Sequence, residues 1–194
     1  MIDCYMASTT NSRRASIGLS EAGLAYTVHP MNLRNRDQST PEHLVRNPYG
    51  KVPVIVDSDG PGGQTATVFE SGAILLYVAE KSGKLYGKDA LDRIEVQKWF
   101  MLHMNGSVPF LGALKNHPTL KDECARVVKV IDDHLGRQQY FAGTFSIADI
   151  CFYPRVAGFD QSVFPIDDFR NIARWIAEVG ARPGTKEGMS QPKS

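Results

Sequence analysis

Strand-like alternation in this chain stops at Phe69, and from Asp89 onward apolar residues recur only at helical spacing. That switch constrains the fold more than any composition does, because an α/β unit must then be followed by an all-helical one. Ile2-Asp3-Cys4-Tyr5-Met6 alternates as a short strand, and the polar run Ser8–Ser12 leads into an amphipathic helix carrying Ile17, Leu19, Ala22 and Leu24. Gly23 stands where that helix should stop, and Tyr26–Met31 reads as a second strand. The crossover is long enough to join two parallel strands.

A short helix is expected near Pro41–Arg46, then a turn over Asn47–Lys51 feeding the strand Val52–Val56. The glycine-rich stretch Asp57–Gly63 and the strand Thr65–Phe69 complete a hairpin, and a helix over Ser71–Lys81 closes the unit. The second half is helical, with Leu91, Ile94, Trp99 and Leu102 on one segment and Val127, Val130, Ile131 and Leu135 on another. Ser146-Ile147-Ala148-Asp149 is a capping box that fixes a buried helix start. The expected division is an α/β unit over 1–83, an all-helical unit over 89–184 and a polar, disordered tail over 185–194.

Composition narrows the partners. The 22 Lys plus Arg nearly cancel the 21 Asp plus Glu, so no broad basic field exists to hold nucleic acid or an anionic membrane. The first residues lack a signal-peptide pattern, and no apolar stretch approaches the roughly 20 residues that span a bilayer, which implies a cytoplasmic protein. Cys4, Cys124 and Cys151 are too scattered for a disulfide framework and form no Cys-x-x-Cys pair.

Three local patterns carry chemistry. Pro53 follows a Gly-Lys-Val turn; it is either an ordinary edge proline or a cis bond that exposes the Val52 backbone to an extended peptide, as in strand addition. Glu70-Ser71 lies at a strand-to-helix junction, where Ser71 can be a plain N-cap, or Ser71 and the helix dipole can hold a carboxylate while Glu70 pairs an ammonium. Thr9 and Asn11 precede the first helix, where they either cap it or converge on a thiolate. Such donors can lower a thiol from a pKa of about 8.5 to roughly 6 to 7.

In chain order, Asn47-Pro48-Tyr49-Gly50-Lys51-Val52-Pro53, Phe69-Glu70-Ser71-Gly72-Ala73-Ile74 and Ser146-Ile147-Ala148-Asp149-Ile150 resemble the motifs of glutathione transferases. The Thr9-x-Asn11 opening followed by Gln38 is similar to the bacterial nu-type group, which includes glutathione-dependent disulfide reductases. The resemblance implies a thioredoxin-like glutathione-binding domain followed by an all-α domain that shapes a second substrate site. It implies that Thr9 and Asn11 face the glutathione sulfur and Val52, before a cis Pro53, pairs with the cysteinyl backbone. Glu70 and Ser71 would hold the γ-glutamyl head, and Gln38 and Lys51 would sit near the glycyl end. His103 and Met104 become candidates for the second-substrate pocket.

Glutathione is the one co-substrate implied, with a small electrophile or a disulfide as its partner and no metal. A homodimer also follows from the resemblance, with the apolar residues around Ile74–Val78 and Ile94–Leu102 as candidate contacts. The Asn105–Asp122 segment is shorter than in similar nu-type proteins, which makes a non-catalytic dimeric scaffold the rival reading. A thioredoxin-type enzyme using its own thiol is disfavoured, since Thr9–Ser12 stands where Cys-x-x-Cys would be.

Overall fold

In the computed structural model, residues 1–114, 116–159, 165 and 168–193 are described, with the backbone alone over 106–110. They form two compact units, one of Met1–Lys84 together with Pro183–Ser194, the other of Leu85–Arg182.

The first unit is built on a four-stranded mixed sheet of order β2-β1-β3-β4, with β1 at Ile2–Met6, β2 at Tyr26–Pro30, β3 at Val54–Asp57 and β4 at Ala66–Phe69. β1 runs parallel to β2 and antiparallel to β3, and β3 and β4 form the hairpin. Ile2, Cys4 and Met6 point to the buried face, as their alternation requires. Helix α1 (Thr10–Ala22) crosses between β1 and β2 and ends at Gly23, whose left-handed φ of 76° needs no Cβ accommodation. Helix α2 (Pro41–Arg46) precedes β3, and α3 (Ser71–Ser82) follows β4. Asp57, fully enclosed at the end of β3, accepts from Tyr77 OH at 2.6 Å and pairs with Lys81 Nζ at 2.9 Å, tying α3 to the sheet.

The 185–194 tail departs from its expected disorder. Helix α9 (Pro183–Met189) packs on α1. Thr185 donates its N–H and hydroxyl to Glu21 Oε1 at 2.8 and 2.9 Å, and Ser16 Oγ donates to Gly188 O at 2.7 Å. A Cβ at Gly188 would collide with the Ile17 backbone, so the missing side chain is what allows the close approach. Polar composition predicts disorder only when nothing compensates the ordering entropy; here a backbone-to-backbone fit and enclosed hydrogen bonds do.

The second unit contains α4 (Ala90–Leu102), a π-turn at His103–Ser107, α5 (Val108–Ala113), α6 (Lys121–Leu135), α7 (Ile147–Val156) and α8 (Arg170–Ala181). Its centre is aromatic: Phe141 stacks on Phe152 at 4.3 Å and meets Trp175 edge-on at 5.4 Å. Each such side chain contributes roughly 1.5–3 kcal/mol by burial. Asp149 sits beneath them, accepting from Trp175 Nε1, Phe141 N, Ser146 N and Ser146 Oγ at 2.9 to 3.3 Å. Burial pushes its carboxyl up to about 6 against the pull of those four donors.

Exposure separates the two candidate dimer contacts. Ile74, Leu75 and Val78 are fully enclosed in the core of the first unit and are unavailable to a partner, whereas Ile94, Met101 and Leu102 on α4 are exposed. Hydrophobicity alone marks both segments equally. No helix among the described residues is long and apolar enough to cross a membrane.

Candidate functional site

Sheet register alone gathers the candidate residues of the first unit. Tyr5 pairs with Val54, Val54 with Phe69, and Met6 with Pro30. The loop after β1, the residues before β3, the residues after β4 and the segment after β2 therefore leave the sheet at one end. Thr9 and Asn11, Val52 and Pro53, Glu70 and Ser71, and the chain leading to Gln38 all emerge there.

At the first of these, Thr9 is the N-cap of α1: its Oγ1 accepts from Ser12 N at 3.2 Å and donates to Ser12 Oγ at 3.0 Å. Its hydroxyl hydrogen is thus spent on Ser12. Asn11 is exposed, and its Oδ1 accepts from Arg14 Nη1 at 3.0 Å, which leaves the amide N–H2 on the other side of the group as donor. The same Nη1 lies 3.3 Å from Ser71 Oγ. Asn11 thus lies within the first turn of α1 and not before the helix, and Arg14, 5% exposed, ties that turn to the start of α3. Sequence reasoning missed it; the available signal was a charged residue at a position where the helix should be apolar.

Helix α3 begins differently. Glu70 is its N-cap with φ 69° and ψ 123°, a strained conformation for a residue with a Cβ, and its side chain makes no capping hydrogen bond. Ser71 is buried at 3% exposure. The start of this twelve-residue helix presents its first-turn amides and its positive dipole end, an arrangement suited to a carboxylate.

The Val52–Pro53 bond is cis, and β3 starts only at Val54, so Val52 lies outside the ladder instead of opening the strand. Gly50, at φ 64°, lets this turn close on Gln38, whose backbone oxygen a Cβ would approach to 3.2 Å. Gln38 Oε1 is enclosed and has no hydrogen-bond partner among the described residues. Lys51 is exposed and holds its ammonium 5.5 Å from the Tyr49 ring centroid. A groove of about 910 Å³ opens beside Thr9, lined also by Asn32, Arg34, Pro192 and Lys193.

Several residues with chemical potential are structural here. Tyr5 is engaged by its neighbours, with His29 stacked at 4.7 Å and the Arg46 guanidinium 4.2 Å from its ring centroid. Cys4 is enclosed, and burial pushes its thiol up to about 12; Cys124 and Cys151 are buried as well. In the helical unit His103 is 1% exposed and meets Phe152 edge-on, while Met104 Sδ lies 3.5 Å from Cys151 Sγ. His103 is enclosed in that unit, and Met104 is half-buried. Helical periodicity cannot distinguish a face that lines a pocket from one that fills a core. Among the described residues no group of three or more His, Cys, Asp or Glu side chains is arranged to hold a metal ion.

Comparison with known proteins bears on this arrangement. The glutathione S-transferase N-terminal domain family matches residues 5–80, and the C-terminal domain family matches residues 97–183. The disulfide-bond oxidoreductase YfcG of Escherichia coli is 31% identical over 97% of this chain and 94% of its own length. Among solved structures, a glutathione transferase from Pseudomonas putida with one glutathione disulfide bound per subunit superposes with a TM-score of 0.93 at 34% identity, covering 98% of this chain and 91% of that one. One from Burkholderia graminis, with two glutathione molecules bound per subunit, gives 0.93 at 35% identity over 99% and 88%.

Proposed function

The chain belongs to the glutathione S-transferase family, and on that premise we propose that it is a glutathione-dependent disulfide reductase whose first domain binds glutathione as the thiolate. The observation that carries this reading is the Asn11–Arg14–Ser71 chain at the end of the sheet. It fixes the donor expected at the sulfur relative to the helix start expected at the γ-glutamyl carboxylate. Positioning two ends of one small molecule against each other is how a site converts binding energy into reactivity.

In the proposed reaction, Ser71 and the α3 amides take the γ-glutamyl carboxylate, Glu70 its ammonium, and Val52 N–H and C=O the cysteinyl backbone, with Gln38 and Lys51 at the glycyl end. The Asn11 amide donates to the sulfur and favours its ionised form. Thr9 supports that loop as its cap. The glutathione thiolate attacks one sulfur of a disulfide, the S–S bond breaks, and the other sulfur leaves as a thiolate, giving a mixed disulfide. A second glutathione thiolate resolves it to glutathione disulfide and a free thiol. The thiolate in this scheme belongs to glutathione because all three cysteines of the chain are buried. The same thiolate would also attack a small electrophilic carbon. The YfcG likeness and the glutathione disulfide held by the P. putida protein favour the disulfide as substrate. A homodimer is part of the proposal, with the exposed α4 residues Ile94, Met101 and Leu102 at its contact.

Titration calorimetry with glutathione near neutral pH, followed by steady-state reduction of a model disulfide, tests the reading. Submillimolar binding and turnover that consumes two glutathiones per disulfide are expected. No heat at millimolar glutathione would leave the non-catalytic scaffold as the better account.

A further inference from the structure

We propose that His43 and Asn47 are positioning residues for glutathione, which by holding the Lys51 carbonyl aim the Val52 N–H at the ligand's cysteinyl backbone. This deepens, and rests on, the functional reading above.

His43 Nε2 lies 2.9 Å from Lys51 O, and Asn47 Nδ2 lies 2.9 Å from the same oxygen. A carbonyl oxygen only accepts, so the imidazole carries its hydrogen on Nε2. Both donor residues are 1% exposed, so each is held in place by the packing around it. The Lys51 carbonyl and the Val52 N–H belong to one planar peptide unit. That unit is trans, since the cis bonds among the described residues are Val52–Pro53 and Gln191–Pro192. In a trans unit the C=O and the N–H point in opposite directions. Two donors that hold the oxygen toward α2 therefore hold the Val52 N–H away from it.

Among the described residues no backbone carbonyl takes up that N–H, and Pro53 has none to offer. Val52 is the remaining donor of the segment that would meet an extended peptide. The clamp is itself held: Asn47 N donates to His43 O at 2.9 Å, Asn47 Oδ1 accepts from Tyr49 N at 3.0 Å, and His43 N donates to Thr40 Oγ1 at 3.3 Å. A donor aimed before the ligand arrives loses no further freedom on binding, which is where its contribution to affinity comes from.

The test uses the full chain, labelled with nitrogen-15, as wild type, His43→Leu and His43→Gln; glutamine can place an amide N–H near the position of Nε2. Glutathione is titrated while the Val52 and Ser71 amide signals are followed, and calorimetry gives the affinity. In the wild type both amides should shift. In His43→Leu the Val52 response should disappear while that of Ser71 persists, affinity should fall about tenfold, and His43→Gln should restore both. A full Val52 response and unchanged affinity in His43→Leu would overturn the proposal alone. Joint loss of the Val52 and Ser71 responses in that variant would also overturn it, by making His43 a general support of the fold. Silence of both amides in the wild type would overturn the functional reading, and this proposal with it.

Discussion

Two helix starts in this protein solve the same problem in opposite ways. At α7 every exposed end group is taken up internally: Ser146 and Asp149 form a reciprocal box, and Asp149 gathers further donors from Phe141 and Trp175 under the aromatic core. At α3 the N-cap is Glu70 in a strained conformation, its side chain makes no capping hydrogen bond, and Ser71 is engaged from outside the helix by Arg14. A helix start that satisfies itself holds a domain together; one left open at a convergence of loops is available to a ligand.

The largest expected effect tests the closed start. Asp149→Ala should cost about 4 kcal/mol of stability, because it leaves buried donors unpaired, as measured by urea unfolding of the intact chain. The pH dependence of Asp149 follows with its sign. Its folded pKa of about 6 lies above the ordinary 3.8. Its contribution is therefore complete below pH 3.8 and is lost as pH rises through 6. The stability difference between wild type and Asp149→Asn should accordingly shrink by up to roughly 3 kcal/mol between pH 4 and 7. A difference that grows over that range would show that the four donors, not burial, govern the carboxyl.

Smaller effects are expected at the open end of the sheet, and on a different observable. Asn11→Ala should raise the pKa of the bound glutathione thiol by about one unit or more, read from thiolate absorbance against pH, with little change in unfolding. Thr9→Ala should leave that profile nearly in place and instead cost about 1 kcal/mol of stability as a lost cap. Ser71→Ala should weaken glutathione binding about tenfold by calorimetry. If Ser71→Ala instead destabilised the fold as much as Asp149→Ala does, the contrast between the two starts would fail.

Much of this arrangement was legible before the structure. The capping box at Ser146–Asp149, the Gly23 stop and the strand-to-helix junction at Glu70-Ser71 are local, set by residues three or four apart. Of the two residues at the start of α1, Thr9 caps the helix, whereas the Asn11 side-chain oxygen accepts from Arg14. Arg14 was legible only as a charged residue at a position where the helix should be apolar; its partner Ser71 lies 57 positions away, and no local pattern names it.

The sequence by itself determined the α/β opening, the helical second half and the loops that carry the candidate site, since strand period, helix period and turn chemistry are written over a few neighbouring residues. Tertiary structure alone decided that α9 returns to pack on α1, that His103, Ile74, Leu75 and Val78 are enclosed, and that Arg14 joins the first turns of α1 and α3. Each of these depends on surfaces brought together from distant parts of the chain, where the shape left by a missing Cβ at Gly188 or a carboxylate at Glu21 matters more than any local pattern.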